Sequence, residues 1–188
     1  TSKFTFGFSQ MDLSGLSTYL GVSDYKQNLY YWGFGDSHSF GRFYYDGGFT
    51  FFLNQRKDIS DTSKTRLNGL IYKIQFGYDL VKPDYLDIFP LVGFGYQHMM
   101  LHVQQDVFES PYAGIDKVNY MIYNPAFIFD FGLEVRVPIY KDEMFLSLKG
   151  GYRLDVSDKR WKYDGKKLNV ETDLSGAYAQ FSLIFKQN

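Results

Sequence analysis

Three histidines, His38, His98 and His102, are the residues best suited to acid–base chemistry, because imidazole titrates near neutrality. A hydrolytic site needs such a base beside a hydroxyl nucleophile and an orienting carboxylate. Asp106 and Ser110 follow His98 and His102 in the chain and supply both residue types. The spacing is loose, however, and no nucleophile shares a strand face with either base. The plainer reading makes His98 and His102 interfacial residues that meet polar headgroups. His38 and Ser39 fall in a segment read as a tight turn, where polar residues are ordinary. A second group lies between Ser157 and Lys167. There Lys159, Arg160, Lys162, Lys166 and Lys167 outnumber Asp158 and Asp164, with Trp161 and Tyr163 between them. Such a segment either grips phosphates or an acidic partner, or is a solvated hairpin turning at Asp164-Gly165. Cysteine is absent, and no nucleotide-binding glycine fingerprint or zinc-binding helix motif occurs, so no metal or cofactor is expected.

A third group of charges becomes visible only through alternation. Over 67–81, Leu70, Tyr72, Ile74, Phe76, Tyr78 and Leu80 share one face of an extended strand. Gly69, Lys73, Gln75, Gly77 and Asp79 share the other. Over 118–137, Phe127, Phe129, Phe131, Leu133, Val135 and Val137 stand against Asp130, Gly132, Glu134 and Arg136. The same period predicts eight strands, near 2–9, 28–36, 40–54, 67–81, 86–104, 118–137, 143–156 and 172–186. Tight turns are expected at 36–39, 82–85 and 138–142, and long connections at 10–27, 55–66, 105–117 and 157–171. In the first long connection, Leu13, Leu16 and Leu20 have helical spacing after Asp12, a candidate N-cap. This predicts a short helix over the end of a barrel.

Composition agrees with a single all-β domain spanning 1–188. Aromatic residues reach 20% and glycines number 18, which favours strands and close backbone packing over helices. A net charge of -1 argues against nucleic-acid binding. No apolar run reaches the roughly 18 residues of a membrane-spanning helix, but a spanning strand needs only about 9–11 with every second one apolar. The chain starts at Thr1 with neither Met nor a charged leader, as expected of a form processed from a signal peptide.

Alternation alone does not say which face is outside. A soluble barrel of the lipocalin type, carrying an apolar ligand, keeps its apolar face inward. Three features favour the opposite sense. The polar face is rich in glycine, which a narrow lumen needs and a solvated strand does not. By alternation its charges are six cations, Lys3, Arg42, Lys73, Arg136, Lys149 and Arg153, against Asp46, Asp79, Asp87, Asp130, Glu134 and Asp155. Such a balance suits paired, buried ions. The apolar face carries too many large aromatics to fit a small interior.

Eight alternating strands, alternating connection lengths and a last strand, Ala177-Tyr178-Ala179-Gln180-Phe181-Ser182-Leu183-Ile184-Phe185, resemble the small outer-membrane barrels of the OmpA and OmpX kind over nearly the whole chain. Lys186, Gln187 and Asn188 after the final aromatic depart slightly from that pattern. The resemblance implies an antiparallel up-and-down transmembrane barrel in a bacterial outer membrane, with periplasmic termini and extracellular long loops. It also implies a non-enzymatic role in envelope integrity or in presenting loops to another envelope protein. Outer-membrane lipid or lipopolysaccharide is the expected contact, through His98, His102, Lys159, Arg160, Trp161, Lys162, Lys166 and Lys167. Arg42, Asp46, Lys73, Asp79, Asp130, Glu134, Arg136, Lys149, Arg153 and Asp155 are expected to plug the lumen. Some barrels of this architecture modify lipid A with Ser, His and a carboxylate, and an outer-leaflet lipid enzyme is the alternative.

Overall fold

A computed structural model describes residues 1–186 except 23, 24, 26, 61, 62, 82–84, 107–116, 141 and 142. The alternating segments form β1 (Ser2–Gln10), β2 (Asn28–Phe40), β3 (Phe43–Ser60), β4 (Ser63–Tyr78), β5 (Asp87–Asp106), β6 (Lys117–Tyr140), β7 (Met144–Asp155), β8 (Arg160–Tyr163), β9 (Lys166–Glu171) and β10 (Gly176–Phe185). Eight of them close a ring. β1 to β7 pair in chain order, β7 pairs with β10, and β10 returns to β1, all antiparallel. Closure leaves no exposed strand edge around the staves. β8 and β9 form a hairpin above the ring, joined to β6 through the Tyr123–Lys162 pair. It turns at Asp164 and Gly165, both with positive φ, as a two-residue turn requires.

Several expected boundaries shift. β2 runs through 36–39 to Phe40 and turns into β3 at Gly41-Arg42, where Gly41 takes a left-handed conformation. His38 is therefore a strand residue, stacked on Tyr45 across the β2–β3 pair and facing outward. The connection expected at 55–66 is mostly strand, because β3 and β4 continue upward as a long hairpin. The expected tight turn at 82–85 falls largely outside the described residues, as does the end of the one at 138–142.

The first long connection holds α1 (Ser14–Leu20), which ends at the left-handed Gly21. Asp12 does not occupy its N-cap. Leu13 does, and the Asp12 carboxylate accepts instead from the Ser14 backbone N–H at 3.0 Å. Leu13 and Leu16 are fully buried against the barrel.

The aromatic face points outward. Phe4, Phe34, Phe76, Phe94, Phe127 and Phe131 are each exposed, and stacked pairs such as Trp32 with Phe51 band the wall. Lys73 and Asp130 are buried inside. A fully polar interior is not found. The tight-turn end, called lower here, holds Tyr44, Phe89 and Leu91, while the middle is ionic. The upper end is apolar, with Leu29, Phe52, Leu67, Ile71, Met99, Leu101, Ile122 and Ile128 packed beneath Leu13, Leu16, Trp161, Val170 and Leu174. The reason lies overhead: α1 and the β8–β9 hairpin shut out water, so inward apolar side chains find apolar partners.

Candidate functional site

Inward positions on β1, β3, β4, β6 and β7 bring charges from distant parts of the chain to one level. The Lys149 ammonium donates to Asp46 Oδ2 at 2.6 Å and to Gln75 Oε1 at 3.0 Å, and lies 3.0 Å from Glu134 Oε2. Lys3 pairs with the other oxygen of Asp46. Glu134 Oε1 accepts from Ser147 at 2.7 Å and from Arg136 at 3.3 Å. On the upper side Arg153 donates to Asp130 at 3.2 Å, to Ser9 at 3.3 Å and to Gln97 at 3.4 Å, while Lys73 stands 3.3 Å from Asp130. Tyr178 lies under the Lys73 and Arg153 cations, and a Cβ at Gly132 or Gly151 would come within 3 Å of its hydroxyl. Those glycines make room for a ring in a narrow tube.

The expected balance of six cations against six carboxylates does not hold within this network. Lys3, Lys73, Arg136, Lys149 and Arg153 join Asp46, Asp130 and Glu134 through ion pairs. Arg42 is exposed in the β2–β3 turn, because that turn lies later in the chain than expected. Asp79 is buried below the network, with its backbone N–H bonded to Arg42 O. Asp155 is buried near the upper end and accepts from the Ser157 N–H. Asp87 is half-buried and pairs in register with Arg136. Below, the Arg136 guanidinium covers the Tyr44 and Phe89 rings at 4.7 and 5.0 Å.

The basic hairpin is less free than its composition suggests. Arg160 forms a two-pronged bond to Asp158 at 2.9 and 3.1 Å, and Lys167 reaches the same carboxylate at 2.5 Å. Those bonds, Arg160's first, hold Asp158 well below the usual carboxylate range. Lys159 pairs with Asp173, which raises its ammonium above the ordinary lysine value. Trp161 is fully buried and donates to Thr172 at 2.8 Å, so it is part of the upper plug and not a headgroup contact. Lys162 and Lys166 have no ion-pair partner among the described residues.

His98 and His102 face outward on β5. His98 lies edge-on to Tyr123, and its Nε2 has no hydrogen-bond partner. His102 is exposed. Ser110 and the side chain of Asp106 lie outside the described residues. Three basic residues that composition did not single out, Arg56, Lys64 and Arg66, stand beside His102. With Asp58, Gln104, Asn119 and Met121 they border a concavity of about 660 Å³ on the outer surface. Their cross-strand register was the missing signal, since in sequence they lie in what reads as a loop.

No protein-family model matches the sequence, and no curated relative matches it. Solved structures do resemble the fold. Ail, the attachment invasion locus protein of Yersinia pestis, crystallised with the heparin analogue sucrose octasulfate, superposes with a TM-score of 0.50 at 9% identity, covering 98% of this chain and 96% of that one. A second Ail structure and Neisserial surface protein A each give 0.47 at 10% identity over the same shares of the two chains. The closed ring of eight staves, its outward aromatic band and the likeness to the Ail structure at a TM-score of 0.50 together make the fold that of a small outer-membrane β-barrel.

Proposed function

We propose that the protein sits in a bacterial outer membrane, termini in the periplasm and long connections outside, as a sealed and non-enzymatic barrel. It braces the envelope through its lipid contacts and offers its upper sheet and hairpin to the outer leaflet or to another envelope protein. The observation that carries this reading is the three-level filling of the lumen: an apolar plug above, a cross-linked ionic layer in the middle and an aromatic layer below. A barrel filled in this way has no room for transport. Incubating the purified protein with lipid A and reading the products by mass spectrometry tests the non-enzymatic part of this reading. Unchanged lipid A is expected. A deacylated or otherwise modified product that disappears in His98→Ala or His102→Ala would replace this reading with lipid-modifying catalysis.

A further inference from the structure

The outer surface of β3 to β6 can be read row by row from its register. The lower rows, such as Tyr45, Phe76, Val92 and Phe131, or Phe49, Tyr72, Tyr96 and Phe127, are apolar or aromatic throughout. Above them come Phe51, Leu70, His98 and Pro125, and then Asn68, Met100 and Tyr123. The next row is Arg56, Arg66, His102 and Met121, topped by Asp58, Lys64, Gln104 and Asn119. With a rise of about 3.4 Å per residue and a tilt near 40°, Arg66 stands about 30 Å above Tyr78, while the apolar band of such barrels is about 25 Å tall. The arginine row therefore lies just beyond the acyl chains, on the same outward face.

A β-bulge creates this row. Between Phe52 and Gln55 the register of β3 slips by one residue, so the outward set changes from Phe49 and Phe51 to Arg56 and Asp58. Arg56 and Arg66 become direct cross-strand partners. Like charges so placed repel, and neither has an ion-pair partner among the described residues. Among the described residues, the carboxylate that lines the concavity, Asp58, stands a row higher opposite Lys64. An anion between the two guanidinium groups would relieve the repulsion with charge-assisted bonds.

We infer that Arg56 and Arg66, flanked by Lys64 and His102, bind a phosphate on the saccharide headgroup of an outer-leaflet glycolipid. This rests on the membrane placement proposed above and names a ligand class for that surface. The height of the row and its shared face with the lipid-facing residues favour an anchored ligand over a dissolved one, and the concavity has the size of a small-ligand site.

The test uses the whole protein in phosphatidylcholine nanodiscs doped with bisphosphorylated or dephosphorylated lipid A, with retained lipid counted by native mass spectrometry. Wild type is expected to retain the phosphorylated form in preference to the dephosphorylated one. Arg56→Gln/Arg66→Gln is expected to lose that retention by about tenfold or more. Heat-modifiable migration on gels confirms that the variant barrel is folded. Should it fail to fold, Arg56→Lys/Arg66→Lys is read in its place, because it keeps charge but loses the planar fork. A several-fold loss supports the inference, and unchanged retention overturns it. Equal retention of both lipid forms also overturns it, as does inorganic phosphate binding the detergent-solubilised protein as tightly as lipid A. A conducting or lipid-processing protein would undo the functional proposal while leaving this retention as measured.

Discussion

Lys149 shows how the lumen depends on single side chains. Its ammonium is shared between Asp46, Glu134 and Gln75, and the side chain is fully buried. Removing Lys149 leaves Asp46 with Lys3 alone and Glu134 with Arg136 alone, and breaking buried ion pairs in this way costs on the order of 3–5 kcal/mol. Lys149→Met is therefore expected to lower the stability of the vesicle-inserted barrel by that order in urea titrations. Tyr152 lies in the same strand but faces outward, so Tyr152→Leu should change stability by less than about 1.5 kcal/mol. Equal effects from the two variants would contradict the inside–outside assignment at its most direct point.

At the scale of elements, the lid over the upper end is held by close packing and by a few ion pairs. Gly15 of α1 lies so close to β9 that a Cβ would come within 2.1 Å of the Glu171 carbonyl oxygen. Gly15→Val is expected to lift α1 from the hairpin. Hydrogen exchange should then accelerate over 14–20 while the staves keep their protection. Uniform loss of protection would show instead that lid and barrel unfold as one. The hairpin responds to pH through Asp158, whose folded-state affinity for protons is depressed by Arg160 and Lys167. A depressed carboxylate contributes stability above its unfolded value, near 3.8, and loses it as pH falls through the lower folded value. The Trp161 indole resonance is thus expected to hold steady from pH 7 to about 4 and to move only below that. A transition between pH 5 and 7 would mean that another group governs the hairpin. Because Asp158 is solvent-exposed, its effect should be local and weakened by salt.

For the whole molecule the filled lumen predicts electrical silence. Planar bilayers containing the protein should show no steady large conductance, since the apolar, ionic and aromatic layers each block the axis. A stable open level would contradict the sealed barrel. The outer surface is equally testable. A spin label at Phe76 should contact detergent chains, while one at Gln75, fully buried, should be shielded from them. β3 to β6 also outreach their neighbours, so one side of the barrel stands well above the apolar band. The cationic row and its concavity lie on that taller side.

Period-two alternation was enough to reveal the eight staves, the outward sense of Phe129 and Phe76, and the inward sense of Lys73, Glu134 and Arg153. Each stave is buried on one face only, so its pattern is set by local chemistry. Helical leucine spacing likewise marked α1. Three things were decided only by tertiary structure. Leu67, Ile71 and Ile128 point into the lumen, yet they belong to an apolar core, because a lid contributed from elsewhere in the chain removes water above them. Trp161 looked like a surface aromatic among lysines, and it is buried because its hairpin folds back over the ring. Arg56 has the parity of a lumen residue and faces outward, because the bulge after Phe52 reverses the faces of β3. Alternation records which residues share a face along an unbroken strand, but not where a strand slips or what covers its end.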